Sequence, residues 1–436
     1  MVRYRKINFS YAHLNLTWVV LLSFRFPMNA RKVIAVGGRP RGSAGEAVFY
    51  ALMSSFVLQA TGAQAQNAQG DVFSAQVSHT HVWDSNLFRR SASNNPRSDV
   101  IGFTSGTLRV DKRVSQQQFL FELTENLSRY QNSSYLNFDG SSYSAAWSLH
   151  SGSWLNMGVV ADHTKSLAPF EDTLTSLRNV RIEDHKTVNF DGHIYDGLNW
   201  VGSLARAEKK SEQAIANQPS SRTTSASLGM RYAFQSGSHV EFVQHASRGD
   251  YLGQSTVPSA TGKSFKENSS EILVFWKLSG ISDLTGRVTH RKREDNQQNS
   301  RNYSGSSGDI AYGWRPAATV NVLFAAKRDL SPLQDPSFSY IRNELLSVSP
   351  SWSVSSFLQV HMLISKAASS YRGSGILPPT NPAREDTTYN TEAGIDWLPA
   401  QKLMLSVNVQ HQVRRSNFSP AEYRHNVVRA GAVWSF

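Results

Sequence analysis

The stretch HTHVWD places His79 and His81 on one side of an extended chain, and an H-x-H pair of this kind can hold a metal. No third ligand is suggested nearby, so two polar side chains on the inner face of a strand are the plainer reading. Adjacent carboxylates such as Glu171 and Asp172 can divide acid–base work. They stand in a loop-like segment, where solvated acids or carbohydrate-contacting residues are the simpler roles. Serine, histidine and acid recur throughout the chain, yet no G-x-S-x-G elbow lies in a strand–turn–helix setting. There is no phosphate-binding glycine loop, and no dinucleotide fingerprint opens a helix. Cysteine is absent, which removes disulfides, thiolate nucleophiles and Cys-ligated metals together. No enzyme, no metal and no cofactor are expected.

The elements that would position such residues are strands. From Asp71 onward the apolar period is 2, not 3.6. Phe119, Phe121 and Leu123 alternate with Leu120, Glu122 and Thr124. Ala226, Leu228, Met230 and Tyr232 alternate with Ser225, Ser227, Gly229 and Arg231. Leu403, Leu405, Val407 and Val409 alternate with Met404, Ser406, Asn408 and Gln410. The mean hydropathy of −0.38 resembles a soluble protein, but faces of opposite polarity cancel in such an average.

Short turns fall near residues 115, 151, 197, 236, 280, 317, 354 and 400. Between them lie longer polar segments at 84–99, 131–141, 165–179, 208–222, 248–267, 291–303, 329–341, 367–386 and 415–422. Eight short turns and nine long loops imply 18 strands, with 16 as the alternative. Alternating short and long connections are the pattern of an up-and-down antiparallel transmembrane β-barrel with short periplasmic turns and long extracellular loops. An aromatic residue precedes many of the turns: Trp147, Trp276, Trp314, Trp352 and Trp397. Amphipathic rings at that level form an interfacial girdle. Closure satisfies every backbone polar group in lipid, and about 18 strands enclose a lumen too wide for side chains to fill. The closing segment VVRAGAVWSF alternates in the same way and reads as the last strand, paired with the first. Its Trp434 and Phe436 would face lipid.

Residues 1–65 read differently. Arg31, Lys32, Arg39 and Arg41 precede the apolar run Ala47 to Ala60, and Ala63-Gln64-Ala65 follows it. This is the order of a secretory signal cut near Ala65, with Met28 a more natural start. The run is too short to cross a bilayer as a helix. Residues 66–436 then form the barrel. The formal charge is +12, but residues 1–66 hold eight Lys/Arg and one acid, leaving 37 basic against 32 acidic residues beyond them. No concentrated basic face remains, and no nucleic-acid partner is expected.

Arginine in mid-membrane avoids lipid. Arg109, Arg206, Arg231, Arg287 and Arg429 are therefore candidate lumen-lining residues, and His79 and His81 a lumen-facing pair. Two readings of the arginines stand side by side. A ring of them favours anionic solutes; alternatively they pair with inward acids such as Glu241 and Asp309 and stabilise the wall.

Several fragments carry a family resemblance. HVWDSNLFR (His81 to Arg89), RSD (Arg97 to Asp99), LAPFEDTLTSLRN (Leu167 to Asn179), RYAFQSG (Arg231 to Gly237), the W-x-P turns and RRSN (Arg414 to Asn417) resemble the exosortase-associated exopolysaccharide (EpsL-like) outer-membrane barrels. The likeness runs over most of 71–436 and extends to the broader β-barrel porin group. It implies a Gram-negative outer-membrane location and the lipid of that membrane as surroundings. It further implies barrel-assembly machinery that reads Trp434 and Phe436, and a hydrated passage for a secreted exopolysaccharide with its export and biosynthesis proteins as partners. A general small-solute porin and a structural barrel that scaffolds a secretion complex are the alternatives.

Overall fold

A computed structural model describes residues 72–152, 154–171, 175–213, 220–252, 263–375 and 382–436. The expected leader, the start at Met28 and the cleavage near Ala65 lie outside the described residues, as does Asp172.

Eighteen strands of 12–16 residues account for nearly all of the described chain. They begin with β1 (Phe73–Asp84), β2 (Asp99–Val114), β3 (Gln117–Tyr130), β4 (Phe138–Ser151), β5 (Leu155–Leu167) and β6 (Val180–Tyr195). The next are β7 (Leu198–Ser211), β8 (Ser220–Ala233), β9 (His239–Leu252), β10 (Ser264–Ser279), β11 (Ser282–Asp295) and β12 (Tyr303–Ala317). The last are β13 (Val320–Pro332), β14 (Tyr340–Ser353), β15 (Leu358–Arg372), β16 (Glu385–Ala400), β17 (Leu403–Ser416) and β18 (Tyr423–Ser435). Each pairs antiparallel with its sequence neighbours, and β1 pairs with β18, so the sheet is an 18-stranded closed ring. The seam runs from Gln76 opposite Ser435 to Asp84 opposite Val427, and the Phe436 amide donates to the Ala75 carbonyl at 2.8 Å. No edge is left to template aggregation or to face lipid unpaired. Among the described residues the only helical pieces are four three-residue 3-10 turns, all in loops.

Alternation decides the faces. On β8, Leu228 is 62% exposed while Ser227 is 8% exposed. Large apolar side chains point outward on nearly every strand, and their exposure makes sense only against hydrocarbon. Slipping any strand by one residue would exchange these rows. Two W-x-P turns add a local device. Register shifts follow Trp314 and Trp397, where Pro316 and Pro399 cannot donate to the ladder. In the RYAFQSG turn, Gly237 adopts φ +80°, and its amide donates to the Phe234 carbonyl.

Candidate functional site: the lumen and its mouth

The inner wall carries mostly hydroxyl and amide side chains, many bonded across strands. Ser78 meets Ser105 at 2.6 Å, Thr107 meets Thr124 at 2.9 Å, and Ser203 meets Ser227 at 2.7 Å. Gln410 donates to Asn390 at 2.6 Å. Short polar side chains satisfied by one another leave a wall that water can wet without strong binding sites.

Four of the five candidate arginines lie on this inner face, each beside acid. Arg109 approaches Glu122 at 3.5 Å and Asp111 at 3.7 Å. Arg231 bonds Glu241 at 2.9 Å and also reaches Asp191. Arg287 bonds Asp309 at 2.9 Å and lies 3.8 Å from Glu271. Arg429 approaches Glu392 at 3.5 Å and donates to Gln410 at 3.1 Å. Their charge is locally compensated, so they do not form a bare cationic ring. Arg206 is different: it shares the outward face of β7 with Leu204 and is exposed. Pairing of Leu204 with Val188 and Ala226 puts that row outside.

The run HRKRED, which in sequence looks neutralised by its own acids, is split by the two-residue period. His290, Lys292 and Glu294 face out, and Lys292 pairs with Glu294 at 2.7 Å. Arg291 and Arg293 face in and share Glu267, at 3.2 and 3.1 Å. Arg293 also donates to the Tyr251 hydroxyl at 2.7 Å and stacks on Phe265. Counting alternation through the run would have separated the two sets.

At the long-loop end, loops fold inward onto the wall. Val82, Ile101, Phe103, Tyr130 and Val427 face in from the strands. With Leu87, Phe88, Leu136 and Phe170 from three loops they make one apolar cluster. Phe88 and Phe170 meet edge to face with centroids 5.0 Å apart. Beneath it, Arg89 is 9% exposed and bonds Asp84 at 2.8 Å and Glu171 at 3.4 Å. Burial opposes the charge on the Arg89 guanidinium, but the Asp84 and Glu171 carboxylates outweigh it and raise its pKa. Arg414 on β17 donates to the Glu171 carbonyl at 3.1 Å, which ties the β5–β6 loop across the inner face. Glu171, expected as a solvated acid, is 4% exposed and belongs to this clasp. On another sector Leu333 and Phe338 of the β13–β14 loop pack on Tyr371, and Arg301 donates to the Asp335 carbonyl at 3.0 Å.

The histidine pair is placed otherwise than expected. His79 and His81 lie on the outward face of β1, with Val77 and Trp83, and their Nε2 atoms stand 3.1 Å apart. Among the described residues no group of three or more His, Cys, Asp or Glu is arranged to hold a metal. Trp276, Trp314, Trp352 and Trp397 are outward and exposed close to the short turns, as are Trp434 and Phe436 near the closing seam. Trp147 is on the same outer face but half-buried, its indole donating to Gln117 at 2.9 Å.

No family model matches the chain, and no curated protein matches it. Solved structures do. OccK1 (OpdK) from Pseudomonas aeruginosa is similar with a TM-score of 0.50 and 9% identity, covering 84% of this chain and 99% of that one. OpdO of the same organism has a TM-score of 0.48 and 11% identity over 84% and 96%. A mutant of its ferric enterobactin receptor PfeA has a TM-score of 0.49 and 8% identity over 84% and 81%. The likeness to OpdK, elsewhere called an outer membrane protein, is one of fold. Closed ring, apolar exterior and polar interior together make this chain a multi-pass β-barrel of the Gram-negative outer membrane.

Proposed function

We propose that the barrel is a passive channel for small hydrated solutes. The observation that carries this reading is the division of the inner surface: a polar wall of paired charges below, and loops folded inward at the extracellular mouth. A wetted wall lets solutes pass with weak, successive contacts, and inward loops narrow the opening. Compensated arginines predict modest charge selectivity. The channel has no catalytic step, and lipid is its permanent surrounding.

Export of an exopolysaccharide, the finer role that the resemblance implies, has less support. The fragments HVWDSNLFR, LAPFEDTLTSLRN and RRSN converge on one place, where Asp84, Phe88, Arg89, Phe170, Glu171 and Arg414 build the clasp. Loop packing accounts for these residues without a polymer. Purified barrel in planar bilayers and in swelling liposomes tests the proposal. Steady conductance is expected, with sugar uptake that falls as solute size rises. A barrel that neither conducts nor passes monosaccharides, together with loss of secreted glycan on gene deletion, would replace this reading with polymer export.

A further inference from the structure

Arg206, expected in the lumen, belongs instead to a row of cations on the outer surface. Lys186 on β6 pairs in register with Arg206 on β7, Arg206 with Thr224 on β8, Thr224 with Arg248 on β9, and Arg248 with Lys266 on β10. All four cations lie on the outward, exposed parity of their strands or continue it by register. With strands about 4.8 Å apart, the row extends about 19 Å. None of the four makes an ion pair within 4 Å among the described residues.

The nearby outward acids are already engaged. Asp184 bonds His163 at 2.8 Å, Glu208 is held by Arg222 and Lys210 at 2.9 Å each, and Glu294 by Lys292 at 2.7 Å. Asp250, one outward step above Arg248, lies opposite Arg222 in register. Like charges placed directly across a strand pair repel, as Lys186 and Arg206 do here. Lys266 does lie opposite Glu294 in register. With Lys210, Arg222 and Lys292, however, the outward cations of β6–β11 outnumber the outward acids Asp184, Glu208, Asp250 and Glu294, so this sector keeps an excess of positive charge.

Its height identifies where that charge comes from. Arg206 stands eight residues beyond the start of β7 at the short turn, above the outward Trp200 and Leu204. At the usual rise and tilt that is about 20 Å. Because tilt carries a register row obliquely across the wall, the row crosses the upper margin of a band about 25 Å tall, with Lys266 two residues from the long-loop end of β10. An outward side chain at this level meets the headgroup layer of the outward-facing leaflet. We propose that Lys186, Arg206, Arg248 and Lys266 form a binding site for a phosphorylated lipid headgroup of that leaflet. Guanidinium and ammonium groups in a line match a headgroup bearing more than one phosphate, through charge-assisted hydrogen bonds. The site does not depend on what passes through the lumen.

The test is lipid retention by the intact barrel, measured by native mass spectrometry in mixed micelles. The probes are a bisphosphorylated glucosamine-disaccharide lipid, its dephosphorylated form and phosphatidylcholine. Wild type is expected to retain the bisphosphorylated lipid at least about tenfold better than either comparison lipid, as several charge-assisted contacts imply. K186Q/R206Q/R248Q/K266Q is expected to lose that preference, while R206K/R248K keeps it. Heat-modified gel migration verifies that each variant is folded, and R206Q/R248Q serves if the fourfold variant is not. Equal retention by wild type and a folded neutral variant would overturn the proposal. So would displacement of the lipid by inorganic phosphate alone, which would mark a free-anion site.

Discussion

Arg231 and Arg206 sit on neighbouring strands, at opposite faces of one wall, and they live by different rules. Arg231 points into the lumen and has two carboxylates within reach, Asp191 and Glu241. Arg206 points out, with Lys186 directly across the strand pair and no ion pair among the described residues. Inward charges are half-buried among other protein groups, so the chain must supply their partners. Outward charges at the rim of an apolar belt meet a medium that supplies its own anions. The contrast teaches that protein partners are required inside and optional outside, where Lys292 pairs with Glu294 but Arg206 pairs with no acid among the described residues.

The largest expected effects come from the inward side. Removing Arg89 takes the bonded cation from the buried carboxylates of Asp84 and Glu171, and Arg231→Ala takes it from buried Glu241 and half-buried Asp191. The first should cost about 3–5 kcal/mol, the usual loss when one partner of a buried pair is removed, and the second less, because water in the lumen reaches Arg231 and Asp191. Urea unfolding midpoints in micelles measure both. For R89A, faster hydrogen exchange in residues 168–171 and 175–179 and a larger single-channel conductance should accompany the loss. Unchanged conductance with unchanged exchange would show that the clasp does not narrow the mouth.

A smaller effect is expected where the same residue type is forced onto each face. Leu228→Arg places a cation on lipid and should cost about 2–4 kcal/mol, less if it lies off the midplane. Ser225→Arg, on the inner face of the same strand, should cost clearly less. Equal costs would erase the distinction between the faces. Selectivity gives a subtler readout: D191N/E241Q leaves Arg231 uncompensated, and the reversal potential in a salt gradient should move toward anions.

The smallest effect has the opposite sign. In micelles free of anionic lipid, Lys186→Ala relieves repulsion with Arg206 and should stabilise the barrel by a few tenths of a kcal/mol. Adding the bisphosphorylated lipid should reverse that order, with wild type the more stable. A loss of stability for K186A without lipid would mean that the row is compensated within the protein.

The barrel itself was legible because its signal is local and repeated. Eight turns near 115, 151, 197, 236, 280, 317, 354 and 400 fall where the strands end, and the long connections lie between them. The histidine pair was legible too, though read the wrong way. Phe73, Val77 and Trp83 share its parity, and that row of apolar residues marks the outer face. Arg206 was harder, because β7 offers Leu204 on one parity and Ala205 and Ala207 on the other. A weakly alternating strand takes its orientation from its partners, here Val188 and Ala226.

What sequence determined was the strand: a two-residue period, turn residues at intervals, and aromatic residues where the wall meets the interface. These are properties of neighbouring residues, and the chemistry of water and lipid reads them directly. What tertiary structure decided was every partnership across the barrel. Arg414 and Glu171 are 243 residues apart, and Arg231 meets acids from two different strands. The loops' inward fold and the outward row of cations arise only when closure fixes register, because register brings distant residues side by side on one face.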